Sequence, residues 1–556
     1  MRITDTSDLW WKNAVIYCLD VETFFDSDGD GVGDFAGLAQ RVDYLAQMGV
    51  TCLWLMPFYP SPGRDDGYDI TDGYGVDARL GNHGDVVELI RTAKDRGMRV
   101  IADFIVNHTS DQHPWFKAAR SSKDDPFRDF YVWRADPPPD TSEKVVFPDK
   151  EDSIWEHDPT TDEWYLHHFY SHQPDLNVAN PKVKEAIAKA MGFWLQVGFD
   201  GFRVDAVPFF LNEGGVEQGD LEQPHEYLRA MRTFLSRRSG QAVLLGEVNV
   251  PYPEQVAYFG GKEGDELNMM FDFVAMQAMY LSLARQDARP LAKALTERPM
   301  AEISPDSQYA TFVRNHDELT LDKLTEEERQ EVFAAFGPEP EMQVFDRGLK
   351  RRLPPMLDGD PRHVKMVYSL LFALPGTPTL FYGEEIGMGE DLSREGRLAV
   401  RTPMQWTGGE NGGFSTAEPE ALVAPVVTGA YGPEHVNVAD ARRDPDSLLH
   451  HITTLAQRYR ECPELGWGAV EILDQPHRAV LAHRCTWGEA SMVLLHNFSP
   501  EPVTVALELD DAEGTVLSDL LQDDDHRVGE DGVEIALQGY GHRWLRVQHP
   551  GDRRLP

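Results

Sequence analysis

Eight short runs of this chain are almost continuously apolar, and nothing else in the sequence restricts its fold as strongly. They are Ala14–Val21, Thr51–Pro57, Arg99–Val106, Phe199–Ala206, Ala242–Val248, Leu267–Phe273, Gln308–Asn315 and Thr377–Gly383. A strand that is apolar on both sides must be covered on both faces, as in a parallel sheet wrapped by helices. Helical patterns lie between the runs, for example Gly37–Met48, Gly84–Arg96 and Pro181–Val197. Eight such alternations in 556 residues predict an α/β fold, a closed (β/α)8 barrel with the helices outside.

Two stretches are too long to be simple connections. Residues 108–178 are rich in Asp, Pro and aromatic residues and read as a small inserted domain after the third strand. Barrel segments are then expected at 1–107 and 179–465, with lid-forming insertions at about 319–362 and 386–430. A helix near Ser447–Arg460 closes the barrel. From Gly466 to Pro556 the pattern changes to short alternating strands between Asp, Gly and Pro turns, which predicts a C-terminal antiparallel β-sandwich.

In such a barrel the chemistry sits at the C-terminal ends of the strands. Polar residues gather there: Asn107 and His108, Arg203 and Asp205, Glu247, then His316 and Asp317. One Asp after a strand is commonly a helix cap. Several strands ending in carboxylates, His and Arg on one rim are not explained by capping. Arg203 and Asp205 are two residues apart and face the same side of their strand. Adjacent strands lie about 4.8 Å apart, so Asp205 and Glu247 match the carboxyl spacing of about 5–5.5 Å that retaining glycoside chemistry needs. Mutual repulsion raises the pKa of one member of such a pair, leaving it a proton to donate.

The segments DFIVNH (Asp103–His108), GFRVDAVP (Gly201–Pro208), GEVN (Gly246–Asn249) and FVRNHDE (Phe312–Glu318) resemble the four signature segments of the α-amylase family, glycoside hydrolase family 13. QPDLN (Gln173–Asn177) resembles a fifth, and the likeness runs from about residue 10 to 415. It implies Asp205 as nucleophile, Glu247 as acid/base and Asp317 as transition-state stabiliser. It further implies that His108, Arg203, His316 and Gln173 belong to the glucosyl-binding region. Asp65, Tyr68 and Arg401 are similar to the group that closes the pocket in exo-acting members, where Asp and Arg pair. Within the family, Asn315–Arg329, Tyr382–Gly389, Arg401–Trp406 and Phe169–Asn177 resemble the members that interconvert maltose and trehalose by intramolecular transglucosylation. The implied partner is a small α-glucoside. The sequence departs from the family pattern at Glu22, at Val248–Val250 and at Thr71–Gly75. These positions leave hydrolysis of, or intermolecular transfer from, short α-glucosides as the alternative.

Asp26, Asp28, Asp30 and Asp34 recur around glycines in one loop, with the Val32 carbonyl among them. Alternating carboxylates with a sharp turn are the signature of a hard-cation loop. A structural Ca²⁺ is expected there, with Mg²⁺ as the alternative, and no organic cofactor. The resemblance implies a second calcium held by Asn107, Asp175 and backbone near Phe209. His167 and His168 either line the pocket or pack the inserted domain.

Lys and Arg number 52 against 93 Asp and Glu, a net charge of −41. Nucleic-acid binding needs clustered cations, and attraction to an anionic membrane needs the same; neither partner is expected. Cys18, Cys52, Cys462 and Cys485 show no pairing spacing and read as buried thiols. With no secretory segment visible, a cytoplasmic setting is expected. Oligomeric state is left open, a homo-oligomer included.

Overall fold

A computed structural model describes residues 9–211, 224–509, 514–530 and 532–549. The eight apolar runs form β1 (Ile16–Leu19), β2 (Cys52–Leu55), β3 (Arg99–Phe104), β4 (Gly201–Val204), β5 (Val243–Gly246), β6 (Met269–Phe271), β7 (Gln308–Phe312) and β8 (Thr377–Phe381). Each pairs in parallel with its chain neighbours, and β1 pairs with β8, so the sheet closes. Every strand is shorter than its apolar run. Asp205, Glu247 and Asn315 lie just beyond the ends of β4, β5 and β7, whereas Asp103 and Arg203 lie inside β3 and β4.

The helices start and stop on local chemistry. Helix Phe35–Met48 begins where Asp34 accepts the Gly37 N–H and ends at Gly49, with φ +99°. Helix Pro181–Val197 starts at the Asn180 cap followed by proline, matching its predicted bounds. The core cluster runs through barrel and helices, with Trp54, Trp194, Tyr17 and Tyr309 among its largest buried side chains.

Between β3 and β4 lies a three-stranded antiparallel sheet made of 133–134, 155–158 and 163–166. It is tied back to the barrel mouth by bridges His108–Asp175 and Tyr131–Leu176. After β7, the pairs Leu319–Thr320, Gln343–Val344 and Gly348–Leu349 form a second small sheet. The stretch after β8 is mostly 3-10 turns. Residues 469–548 build a six-stranded and a two-stranded antiparallel sheet, with Val493, Leu495, Val505, Ile535 and Leu545 packed between them. The outer face of the larger sheet sits on helix Pro361–Ala373, where Trp544 Nε1 donates to Ser369 Oγ at 3.1 Å. The four cysteines are buried and free. Among the described residues, no helix is long and apolar enough to cross a membrane.

Candidate active site

Register across the barrel assembles the centre of the site. Asp103 on β3 pairs in register with Arg203 on β4, and Arg203 with Leu245 on β5. The Arg203 guanidinium is buried and held by three carboxylates. Nη1 lies 2.7 Å from Asp103 Oδ1 and 2.6 Å from Asp205 Oδ1, and Nη2 lies 2.7 Å from Glu247 Oε2. Asp205 and Glu247 therefore sit against the two ends of one guanidinium. Ala206, next to Asp205, has φ +51° and donates its N–H to Glu247 Oε2 at 3.1 Å. A left-handed alanine is strained backbone, and here it aims both carboxylates into the same cavity. That cavity, about 420 Å³, is lined by Asp205, Glu247, Asp317, His108 and Tyr68, among others. Its size suits a disaccharide-scale ligand.

Burial sets the ionisation of the pair. It raises the Asp205 carboxyl to about 6 against the pull of Arg203, and the Glu247 carboxyl to about 8. Glu247 is thus the group that keeps its proton at neutral pH. At Asp317 burial works the same way but loses: the His316 ring and the guanidinium groups of Arg397 and Arg401 hold it well below the carboxylate range. Burial lowers the pKa of the His316 ring itself, against the pull of Asp317. Its Nε2 lies 2.6 Å from Tyr68 Oη, which also donates to Asp103 Oδ2 at 3.0 Å. The Tyr68 and His316 rings stack at 5.6 Å. His108 lines the cavity, its Nε2 3.2 Å from the Tyr68 carbonyl.

The pocket-closing group differs from the expected one. Arg401 does not bond Asp65; its Nη1 reaches Asp66 at 2.6 Å, its Nη2 reaches Asp317 at 3.0 Å, and its Nε donates to the His316 carbonyl. Asp65 is taken by Arg397, whose Nη2 lies 2.6 Å away while Nη1 is 2.9 Å from Asp317 Oδ1. Gln173 Nε2 donates to the other Asp65 oxygen at 2.8 Å. Asp66 precedes Gly67 in the turn and takes φ +50°, which swings its carboxylate to a different side from that of Asp65. Sequence reasoning passed over Arg397, Asp66 and Asp103. Only the last had a signal, an Asp inside an apolar strand that needs a partner.

The far side of the cavity is polar. Asn249 Nδ2 donates to Asp322 at 2.9 Å, Lys323 pairs with the same carboxylate, and Arg347 bridges Glu318 to the carbonyl of Val146. His168 lies outside the cavity lining: it bonds Asp175 and packs on the Phe209 ring. His167 packs near Tyr165.

At the first cation loop, Asp26, Asp28 and Asp34 bring carboxylate oxygens within 4.8 Å of one another. Asp30 lies outside that group; its carboxylate accepts the Val32 N–H. The oxygen donors suit Ca²⁺ or Mg²⁺, although Asp34 also caps its helix. Around the second expected site Asn107 and Asp175 do meet, 3.0 Å apart. There the Asn107 amide N–H and the His168 ring occupy the two Asp175 oxygens. The oxygens expected to bind the second cation, those of Asn107 and Asp175, therefore lie together at the junction of the inserted sheet and the barrel.

Comparison with known proteins agrees with the geometry. The family model described as "Alpha amylase, catalytic domain" matches residues 19–335 and 350–468, and "Sucrose hydrolase-like, C-terminal domain" matches 490–546. A trehalose synthase of Pimelobacter sp. (strain R48) is 39% identical over 98% of this chain and 97% of its own. An oligo-1,6-glucosidase of Parageobacillus thermoglucosidasius is 31% identical over 88% of this chain and 91% of its own. The solved α-amylase of H. orenii superposes with a TM-score of 0.79 at 27% identity, covering 97% of this chain and all of that one.

Proposed function

The chain belongs to the α-amylase family and is an enzyme of that type, and we propose that it interconverts maltose and trehalose by intramolecular transglucosylation. The observation that carries this choice is the end-to-end likeness to the trehalose synthase, closer than that to the oligo-1,6-glucosidase.

In this reading Glu247 protonates the glycosidic oxygen while Asp205 attacks the anomeric carbon. The bond to the leaving glucose breaks and a glucosyl ester of Asp205 forms. Holding both carboxyls on Arg203 favours the close spacing of a retaining pair over the about 6.5–9.5 Å of an inverting one. Asp317, the carboxylate kept ionised, offsets the positive charge that develops at the sugar. The released glucose stays in the cavity, turns, and presents its anomeric hydroxyl. Glu247 removes that proton as the oxygen attacks the ester, giving trehalose. Water in place of glucose gives hydrolysis as a side reaction. Asn249, Asp322 and Lys323 are the groups placed to hold the waiting glucose. Hydrolysis of short α-glucosides, or transfer to a second molecule, is the alternative, supported by the likeness to an oligo-1,6-glucosidase.

We further infer a structural Ca²⁺, or Mg²⁺, at Asp26, Asp28 and Asp34, and a reducing cytoplasmic setting that keeps the four thiols free. The test of the main reading is purified enzyme incubated with maltose and followed by NMR. Trehalose forming faster than glucose supports interconversion. Glucose alone, or longer oligosaccharides, supports the alternative.

A further inference from the structure

The barrel mouth holds more than the catalytic cavity. Beside the catalytic one lies a larger space of about 1100 Å³, over the ends of β8, β1 and β2. The two share Asp65 and Arg397 in their linings, so that ion pair is the wall between them. Nothing in the proposed reaction uses the outer space.

Its chemistry points to one kind of ligand. Several charges on its inner wall are paired, and Asp20, Glu22 and Asp66 bring carboxylate oxygens within 4.8 Å of one another. Arg79 bonds Glu22 at 3.2 Å and Asp77 at 2.8 Å, and Arg401 bonds Asp66 at 2.6 Å. Lys350 is spent on the carbonyls of Leu392 and Arg394. Carboxylates and guanidinium groups side by side suit a polyol, because each sugar hydroxyl can donate to a carboxylate and accept from a guanidinium at once. Burial and the Asp66 charge lift the Glu22 carboxyl to about 7, adding a proton that a hydroxyl oxygen can accept. The Tyr170 and Phe345 rings line the opposite side and both pack on Phe147, at 4.5 and 4.7 Å. Such ring faces take the apolar face of a pyranose. The catalytic cavity has the same combination of Asp–Arg pairs and aromatic rings, on the other side of the same wall.

We propose that the outer cavity is a second α-glucoside-binding chamber, which stages a sugar against the outer face of the Asp65–Arg397 pair. The proposal rests on the reading of the chain as an α-glucoside enzyme. Glu22 and Tyr170 belong to the outer lining and are absent from the inner one.

The test is calorimetric titration of maltose into the full-length Asp205→Asn variant, in which bound sugar is not turned over. Two sugars per chain are expected. In that background Glu22→Gln and Tyr170→Ala, made separately and checked by melting temperature, should each weaken one site about tenfold and leave the other unchanged. Two variants are used so that a folding failure in one leaves the other decisive. One sugar per chain, or a second site indifferent to both replacements, overturns the second chamber while leaving the catalytic reading intact. If no maltose binds at all, the catalytic reading fails as well.

Discussion

The Asp65 carboxylate and the Arg397 guanidinium, 332 residues apart in the chain, meet at 2.6 Å across the barrel mouth. The same arginine reaches Asp317 with its other nitrogen. One side chain from an irregular segment therefore closes the pocket and keeps the third carboxylate ionised.

Arg397→Met removes both bonds and leaves two acids facing each other's field. A charge-assisted bond contributes about 1.5–3 kcal/mol, so kcat/KM for maltose should fall on the order of 10- to 100-fold. Steady-state kinetics check this; an unchanged kcat/KM would remove Arg397 from the site.

Asp205→Asn should reduce turnover of any α-glucoside by about 10³-fold or more while the melting temperature stays close to that of the parent. Near-normal activity in a folded variant would overturn the nucleophile assignment.

The rate should follow a bell in pH. The nucleophile must be ionised, so activity is lost as pH falls through about 6, the range of the Asp205 carboxyl. The acid must carry its proton, so activity is lost as pH rises through about 8, the range of Glu247. The two limbs belong to a coupled pair. Glu247→Gln should abolish the alkaline limb in the residual rate, measured with an activated glucoside whose leaving group needs no proton.

Stability should depend on pH for a separate reason. Burial at the seam between helix Pro361–Ala373 and the C-terminal sheets lowers His363, His451 and His483 to about 4, and His542 to about 3. The unfolded chain takes up protons on these rings below about 6.5, and the folded chain does not. Melting temperature should therefore fall as pH drops from about 6.5 towards 4. His542→Gln should flatten that decline.

Chelation of divalent ions should lower the melting temperature, and added Ca²⁺ should restore it, if the Asp26–Asp34 loop holds its ion. Asp28→Asn should remove most of the effect. No change on chelation would remove the metal from the reading.

By itself the sequence determined the barrel, because strands covered on both faces are largely apolar, and it marked the reactive rim, because charge gathers in those runs at or near their C-terminal ends. Asp205, Glu247 and Asp317 were legible for that reason. Partnerships were not. Whether Asp65 or Asp66 meets Arg401 depends on the left-handed turn at Asp66, and Arg397 sits on a 3-10 segment with no periodicity to declare its direction. Likewise His168 meets Asp175 because the inserted sheet returns to the barrel just there. A strand's burial is a local property that composition records. The pairing of a charge with one of several candidates is settled only by which side chains the closed barrel brings within about 3 Å.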